Sequence, residues 1–474
     1  MGVPAGMGVP AGMGVPASVC SPLLPERGPM RFNPDEIERF RLTALDVDVE
    51  QGVVDLGYAL DETWRFTERV TFGPRRAGLG FDGGFERVAR LLHLAAGVSY
   101  YKAAAPPVMS VETGPISEVE RRFVTDLYDK GLREFAWHNG LPLERRLIVE
   151  APVAGDAPVA GSSAPVGAPP AGIGIPVGGG KDSAVVVEAL RDRSPVLLSM
   201  NGHPAARRVA AAAGLELVVV ERTLDPLLLA LNGQGARNGH VPITAIVSLV
   251  AVAAGFRVGY DTTVMALEGS ADEPTRVAGG GSEPGVAVNH QWSKSSELEA
   301  LLVAALDEAV GPAVRYRSVL RDVGELDIAA AFAAMPRYHH AFLSCNRAFT
   351  RAGRDGWCGR CPKCRFVYLA LATAMSPAEL AAIFGRDLLR DPGQVEGFRD
   401  LFEEDRKPFE CVGTRAESLA AVAELGSAPA WADAAVVRAL APVASALGAS
   451  SMPRLEPGQL VQRVRAAVGA PAQR

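Results

Sequence analysis

The sequence predicts an α/β protein built on a doubly wound parallel sheet and preceded by a separate α+β domain. Two observations favour the sheet. Runs of β-branched and apolar residues alternate with helical patterns after residue 172, and glycines follow the first of those runs. A third observation, a set of cysteines at metal-ligand spacing, predicts a zinc-knuckle segment in the same domain.

Length and composition limit the classes of protein to consider. A chain of 474 residues exceeds what one core usually organises, so we expect two or three domains. The net charge is -6, and acidic and basic residues are interspersed along the chain. This distribution excludes the continuous basic surface that is typical of nucleic-acid-binding proteins. Apolar runs are shorter than the roughly 18 residues of a membrane span. We therefore expect neither a nucleic-acid partner nor a membrane span, and the crowding of three cysteines into Cys358 to Cys364 fits a protein of the reducing cytoplasm. The oligomeric state is not indicated.

Composition shifts predict the domain boundaries. Residues 1–30 contain a repeated MGVPAG unit, are expected to be disordered and lack the basic start of a secretory signal. Residues 31–150 form the N-terminal domain, and the Pro/Gly/Ala-rich residues 151–172 form a linker. Residues 173–390 form the parallel-sheet domain with an inserted loop, Glu268 to Val288, and residues 391–474 form a helical region.

The predicted elements follow in chain order. In the N-terminal domain, a strand pattern covers Thr43 to Val54 and a helix pattern covers Phe85 to Ala96. In the sheet domain, the patterns are a strand at 174–177, a helix at 183–191, a strand at 196–200, a helix at 205–213, a strand at 215–220, a buried helix at 242–254 and a strand at 256–266.

The glycines lie between the first predicted strand and its helix, in the segment Ile175-Pro-Val-Gly178-Gly179-Gly180-Lys181-Asp182-Ser183. Glycines let backbone amides approach phosphate oxygens, the helix N-terminus adds partial positive charge, and a lysine neutralises further phosphate charge. The segment therefore predicts an anion site. It is not a Walker A loop, because the position of its first glycine is Ile175 and the lysine is followed by Asp182.

Four cysteines, Cys345, Cys358, Cys361 and Cys364, have the spacing C-x12-C-x2-C-x2-C. Four thiolates with this spacing can close a tetrahedral zinc site with no open position, so the predicted zinc is structural. The alternative is that they are ordinary buried thiols or a redox pair.

The loop Gly178 to Ser183 resembles the Ser-Gly-Gly-x-Asp-Ser loop of the PP-loop ATP pyrophosphatases, whose fold is of the adenine nucleotide α hydrolase type. Gly178 replaces the first serine, which puts one side-chain contact with phosphate in doubt. The resemblance implies that residues 173–390 are a PP-loop domain. It also implies that residues 178–183 bind ATP and that the substrate attacks the α-phosphate. The cysteine arrangement is similar to the zinc site of 7-cyano-7-deazaguanine synthases, which are also PP-loop enzymes.

Further segments narrow the family. They are Gly80 to Arg87, His93 to Lys102, Asn238 to Ile243, Asn289 to Lys294 and Lys407 to Gly413. With them the chain resembles the MurL family of UDP-N-acetylmuramoyl-L-alanyl-L-glutamate epimerases from about residue 40 to 430. The resemblance implies ATP- and Mg²⁺-dependent inversion of a terminal L-glutamate through an acyl adenylate, with release of AMP and pyrophosphate, in peptidoglycan precursor synthesis.

The residues that move the proton are not indicated by a motif. Lys102 follows Tyr100 and Tyr101 at a predicted helix end, and packing of these amphipathic side chains explains it equally well. Cys411 is a lone thiol in KPFECVG, and such residues are more often small buried hydrophobes. His240 and His290 lie in loops next to apolar segments and are candidates for binding phosphate or moving protons. Lone histidines more often only satisfy local hydrogen bonds.

Lys294 and Arg347 are candidates for binding the anionic substrate, because charged groups recognise phosphate and carboxylate. Solvated surface charge is the commoner explanation. Two alternatives to the epimerase remain at this point. One is a PP-loop ligase or deazaguanine/tRNA-modifying enzyme that adenylates another substrate, and the other is a nucleotide-binding module without catalysis.

Overall fold

The protein is described by a computed structural model covering residues 31–79, 83–152, 167, 169–279, 285–349, 356–449 and 452–469. The predicted tail, most of the predicted linker and residues 280–284 of the predicted inserted loop lie outside these ranges. The strands are β1 (Arg39–Asp48), β2 (Val53–Leu60), β3 (Trp64–Thr71), β4 (Val108–Val111), β5 (Ile148–Glu150), β6 (Ile173–Pro176), β7 (Val196–Met200), β8 (Leu217–Thr223), β9 (Thr262–Glu268), β10 (Arg276–Ala278), β11 (Val286–Val288) and β12 (Arg315–Leu320).

The α-helices are α1 (Gly84–Ala96), α2 (Val98–Tyr101), α3 (Glu118–Asp129), α4 (Arg133–Asn139), α5 (Lys181–Leu190), α6 (Pro204–Ala213), α7 (Pro226–Asn232), α8 (Ile243–Val258), α9 (Ser296–Val310), α10 (Glu325–Ala333), α11 (Pro362–Ala372), α12 (Pro377–Phe384), α13 (Val395–Arg399), α14 (Arg415–Ser427), α15 (Ala435–Ala446) and α16 (Pro457–Gly469). Within the described residues, no helix has both the length and the apolar character needed to cross a bilayer.

The strands form a ten-stranded sheet of order β12-β9-β6-β7-β8-β3-β2-β1-β4-β5, and β10 and β11 form a separate hairpin. From β12 to β8 every neighbouring pair is parallel. The chain runs outwards from β6 to β7 and β8, then returns to the other side of β6 for β9 and β12. Because the direction of winding reverses between β6 and β9, this is the switch point where α/β sheets bind ligands.

Helices cover both faces of this parallel part, as the prediction of a doubly wound α/β sheet requires. Successive strand residues point to opposite faces, so Leu197 joins the core beneath α5 and α10 while Leu198 joins the core beneath α1 and α8. The same alternation separates Val264 from Met265 on β9. Two hydrophobic cores therefore hold the sheet from either side.

Helix α8 is buried almost all round, as its apolar sequence predicts. It continues to Val258 and ends where Gly259 adopts a left-handed backbone with φ of 89°. The predicted strand at 256–266 therefore begins six residues later, at Thr262, since core packing extends the helix beyond the point expected from the β-branched pattern. Similarly, the strand predicted from Thr43 to Val54 is two strands, because the chain turns at Gly52, where φ is 67°.

The N-terminal residues were expected to form a separate domain, and this expectation is wrong. Strand β3 pairs antiparallel with β8, so strands from both parts of the chain share one sheet. At this seam the fully buried Glu68 accepts bonds of 2.7 and 2.9 Å from the Arg222 guanidinium, which also donates to Ser99 at 2.9 Å. Sequence patterns within each segment carried no information about this pairing.

Candidate active site

The glycine loop lies at the switch point, between the end of β6 and the start of α5. Gly179 has a φ of +98°, and a Cβ there would lie 2.4 Å from Cβ of Ala205. Its carbonyl accepts a hydrogen bond of 2.8 Å from the amide of Leu343. Gly179 is thus required both for backbone conformation and for close packing against α6, whereas a Cβ on exposed Gly178 would meet no atom within 4 Å.

The start of α5 presents its amides at this loop. Gly180 is the N-cap residue with extended backbone, and the Ser183 hydroxyl donates to its carbonyl at 3.0 Å. A Cβ on Gly180 would lie 2.9 Å from Oγ of Ser344. The helix N-terminus and the glycine backbone therefore form a compact site of the kind that binds phosphate.

The Lys181 side chain points into the protein interior and not towards solvent. Its ammonium is buried and forms ion pairs with Asp182 and with Glu325 of α10. These carboxylates outweigh burial and raise the pKa of Lys181, while burial raises the pKa of Glu325 to about 7. The Asp182 side chain stays 23% exposed, and the charge of Lys181 helps to hold its pKa below the usual value against the effect of burial. Asp182 is thus the carboxylate of this group that reaches the site.

The structure brings the four predicted cysteines together. Sulfur–sulfur distances are 3.4 Å for Cys361–Cys364, 3.7 Å for Cys358–Cys364 and 4.0 Å for Cys345–Cys361. Amides of Cys361 and Cys364 donate to the sulfurs three residues earlier at 3.3 and 3.4 Å. Disulfide sulfurs lie at about 2.05 Å, whereas four thiolates at 2.3 Å from one zinc lie roughly 3.8 Å apart. The geometry fits a tetrahedral zinc site.

The cysteine cluster supports the glycine loop directly. Leu343, whose amide holds Gly179, lies two residues before Cys345, and Ser344 between them faces Gly180. Ala205, the close neighbour of Gly179, packs in the same small core as the cysteines. Any movement of the cluster would therefore move the glycine loop.

A second group of titratable side chains contains Cys411, His240, His290 and Glu134. Nδ1 of His290 donates to Glu134 at 2.5 Å, and Nδ1 of His240 lies 3.3 Å from the same oxygen. The two imidazole rings have centroids 4.6 Å apart. The Cys411 thiol lies beside the His290 ring, close enough for the two groups to shift each other's pKa, and the three side chains together form a thiol–imidazole–carboxylate chain.

The charges around Cys411 favour its thiolate. Burial raises the pKa of the thiol, but the charges of Lys294, His290 and Lys363 and the hydrogen bond to His290 outweigh it, and the pKa falls to about 6. The pKa of His290 rises to about 9, because its bonds to Cys411 and Glu134 outweigh burial. At neutral pH the two groups are therefore a thiolate and an imidazolium.

This group adjoins the glycine loop. The charge of Lys294 lies close enough to both Cys411 and Asp182 to perturb the pKa of each, and Lys363 does the same. Lys363 lies between two of the cluster cysteines, and its amide donates to Glu410 at 3.0 Å. The segment that contains the cysteine cluster thus contacts the residue immediately before the thiol.

The other predicted site residues lie as follows. Lys102 is buried, and its ammonium donates to Asn238, two residues before His240; burial lowers its pKa to about 8. Arg347 is exposed on the short turn Asn346–Phe349, immediately after the cluster residue Cys345, whereas Lys294 is partly buried beside Cys411.

Sequence reasoning missed Glu134 and Glu325, and it named His290 only as a general candidate for phosphate binding or proton transfer, without its partners. Glu134 lies 156 residues from its partner His290, and Glu325 lies 144 residues from Lys181. No spacing pattern connects such distant residues, since only the fold brings them together.

The fold and the site define an α/β enzyme class with a glycine-rich loop at the sheet's switch point and a thiol–imidazole pair beside it. Residues 31–319 match the MurL N-terminal domain model and residues 341–453 match the MurL C-terminal domain model. The chain belongs to the MurL family, as its motifs indicated, and is therefore an isomerase.

Relatives are similar over most of their length. Proteins of Salinispora tropica and Micromonospora sp. are 42% and 43% identical over 85% of this chain and 88% and 90% of theirs. A protein of Xanthomonas oryzae pv. oryzae is 39% identical over 86% of this chain and 90% of its own. Each is named UDP-N-acetyl-alpha-D-muramoyl-L-alanyl-L-glutamate epimerase. No solved structure matches the chain.

Proposed function

We propose that this enzyme converts the terminal L-glutamate of UDP-MurNAc-L-Ala-L-Glu to D-glutamate for peptidoglycan precursor synthesis. The similarity to three relatives with this activity in their names, over at least 85% of the chain, carries the proposal. The reaction uses ATP and Mg²⁺, passes through an acyl adenylate, and releases AMP and pyrophosphate.

Adenylation explains why an epimerase has a phosphate loop. Removing an α-proton beside a free carboxylate places a second negative charge next to the first. An acyl adenylate has no charge at that carbonyl, which can then delocalise the carbanion. In this proposal, the backbone of Gly178, Gly179 and Gly180 and the start of α5 bind the ATP phosphates, and the glutamate carboxylate attacks the α-phosphorus.

Metal sites have clear candidates. Asp182 is the partly exposed carboxylate at the loop and would hold Mg²⁺, which supplies positive charge against the phosphates. The four cysteines would hold a structural Zn²⁺, since their sulfurs have the separations that one tetrahedral ion needs. Thiols kept free for zinc suit a reducing compartment, and we place the enzyme in the cytoplasm.

The substrate and proton-transfer residues complete the proposal. Lys294, next to both the loop and Cys411, neutralises the anionic glutamyl end, and Arg347 contacts the substrate from its exposed turn. Lys102, His240 and Cys411 are the groups available to move protons. Inversion needs a donor and an acceptor on opposite faces of the α-carbon, with pKa values near the working pH.

The test is incubation with UDP-MurNAc-L-Ala-L-Glu, ATP and Mg²⁺ in deuterated water, followed by measurement of AMP, glutamate chirality and α-deuterium. Inverted, deuterated glutamate with AMP is the expected result. UDP-MurNAc-L-Ala, which lacks the glutamate, is the matched control and should give no AMP. Folded, zinc-loaded protein that forms AMP and joins the acyl group to an amine would instead be a ligase. Protein that forms no AMP with the glutamyl substrate would overturn the proposal.

A further inference from the structure

The thiol–imidazole–carboxylate chain is not needed to bind ATP, Mg²⁺ or zinc. Cys411 lies in the irregular segment before α14, His290 lies before α9 and Glu134 lies on α4. Three distant parts of the chain therefore converge at this chain of side chains. Glu134 is 7% exposed, which makes its bond to His290 a buried, charge-assisted one. Such a convergence around one thiol calls for a function of its own.

A shared metal ion does not explain the convergence. Zinc-bound nitrogen and oxygen atoms lie about 2.0–2.2 Å from the ion, so two of them in a tetrahedral site are roughly 3.3 Å apart. Nδ1 of His290 and Oε2 of Glu134 are only 2.5 Å apart, which is a hydrogen-bond distance. The carboxylate therefore orients the imidazole, and the imidazole in turn faces the thiol.

We propose that Cys411 transfers the α-proton at one face of the activated glutamyl group, and that His290 and Glu134 are positioning residues that keep it a thiolate. This deepens the proposed epimerase activity and depends on it. The thiolate takes the proton as the C–H bond breaks, an S–H bond forms, and the electron pair moves into the acyl carbonyl. A donor on the opposite face then returns a proton to the α-carbon.

The electrostatics of the pocket suit this task. Lys294, His290 and Lys363 favour the thiolate, while Glu410, the preceding residue, opposes it. A general base works best when its pKa is near the operating pH, and the pKa of Cys411 is about 6. The location next to the loop also matters, because the thiol must reach the carbon adjacent to the adenylated carboxyl.

Cys411→Ala is the direct test. We expect AMP formation to stay within about threefold of wild type, while D-glutamate formation falls about 10²–10⁴-fold, the usual contribution of a general base. The variant would thus hydrolyse ATP and return uninverted substrate. Inversion at the wild-type rate would overturn the inference. Absence of AMP in wild type would instead refute the proposed function, so the two failures are distinguishable.

Alkylation of the thiol tests the positioning residues without depending on turnover. Iodoacetamide reacts with thiolates, so the labelling rate of Cys411, followed by peptide mass spectrometry in a Cys20→Ala background, should rise with a midpoint near pH 6. Glu134→Gln should move that midpoint upwards, because the imidazolium loses its partner. Glu410→Gln, the matched control, should move it downwards or leave it unchanged. A wild-type midpoint near 8.5, the ordinary thiol value, would overturn the inference even if Cys411→Ala failed to fold.

Discussion

Gly179→Ala tests whether the glycine loop is held in the conformation described here. An alanine at φ +98° carries backbone strain of about 1–3 kcal/mol, and its Cβ at 2.4 Å from Cβ of Ala205 adds an overpacking cost of about 1–3 kcal/mol. The combined cost is about 2–6 kcal/mol. Gly178→Ala is the matched control. It introduces the same methyl group one residue earlier, where no atom lies within 4 Å, and should change stability by less than about 0.5 kcal/mol.

The strain can be relieved in two ways, so two measurements are needed. If the loop keeps its shape, the free energy of unfolding in urea falls by the amount given. If the loop moves away from α6, stability is partly recovered but the backbone amides no longer converge, and ATP affinity measured by calorimetry should fall at least about tenfold, or 1.4 kcal/mol. A Gly179→Ala protein with wild-type stability and wild-type ATP affinity would refute the reasoning.

Three further predictions concern stability and metal. Glu68→Gln should cost about 3–5 kcal/mol in urea unfolding, because it leaves the Arg222 guanidinium buried without its counter-charge. His93 is buried and neutral, and burial lowers its pKa to about 4. Since the unfolded chain takes up a proton near pH 6.5 and the folded chain does not, stability should fall by about 1.4 kcal/mol per pH unit as pH drops from 6.5 towards 4. For the proposed zinc site, elemental analysis should find one zinc ion per chain in the wild type and none in Cys361→Ser. The variant should also form no AMP, since the cluster holds the Gly179 loop.

Each of these predictions has a control. Asp55→Asn removes an equally well-formed but exposed pair with Arg69, and should cost no more than about 1 kcal/mol. A similar loss for Glu68→Gln would contradict the argument from burial. His93→Gln should flatten part of the slope between pH 6.5 and 4; an unchanged slope would exclude His93 as its source. Full AMP formation by zinc-free protein would show that the cluster does not support the loop.

The sequence alone was sufficient for the local features. The loop from Gly178 to Ser183 follows a strand and opens a helix, as expected from a glycine run between a β-branched segment and a helical pattern. The β7 strand has the predicted bounds, and the α/β class is confirmed. These features depend on backbone propensity and periodicity, which act between residues close in the chain. The family assignment is likewise confirmed, because motifs are also local.

Only the tertiary structure determined which residues that are distant in the sequence are in contact. It joined β3 to β8 across the predicted linker, turned Lys181 towards Glu325, and placed His290 and Glu134 against Cys411. It also placed Cys411 near Lys294 and the glycine loop, which gave a lone cysteine a charged environment. Burial and Coulomb interactions between residues more than a hundred positions apart set these features, and they exist only once both cores close around the sheet.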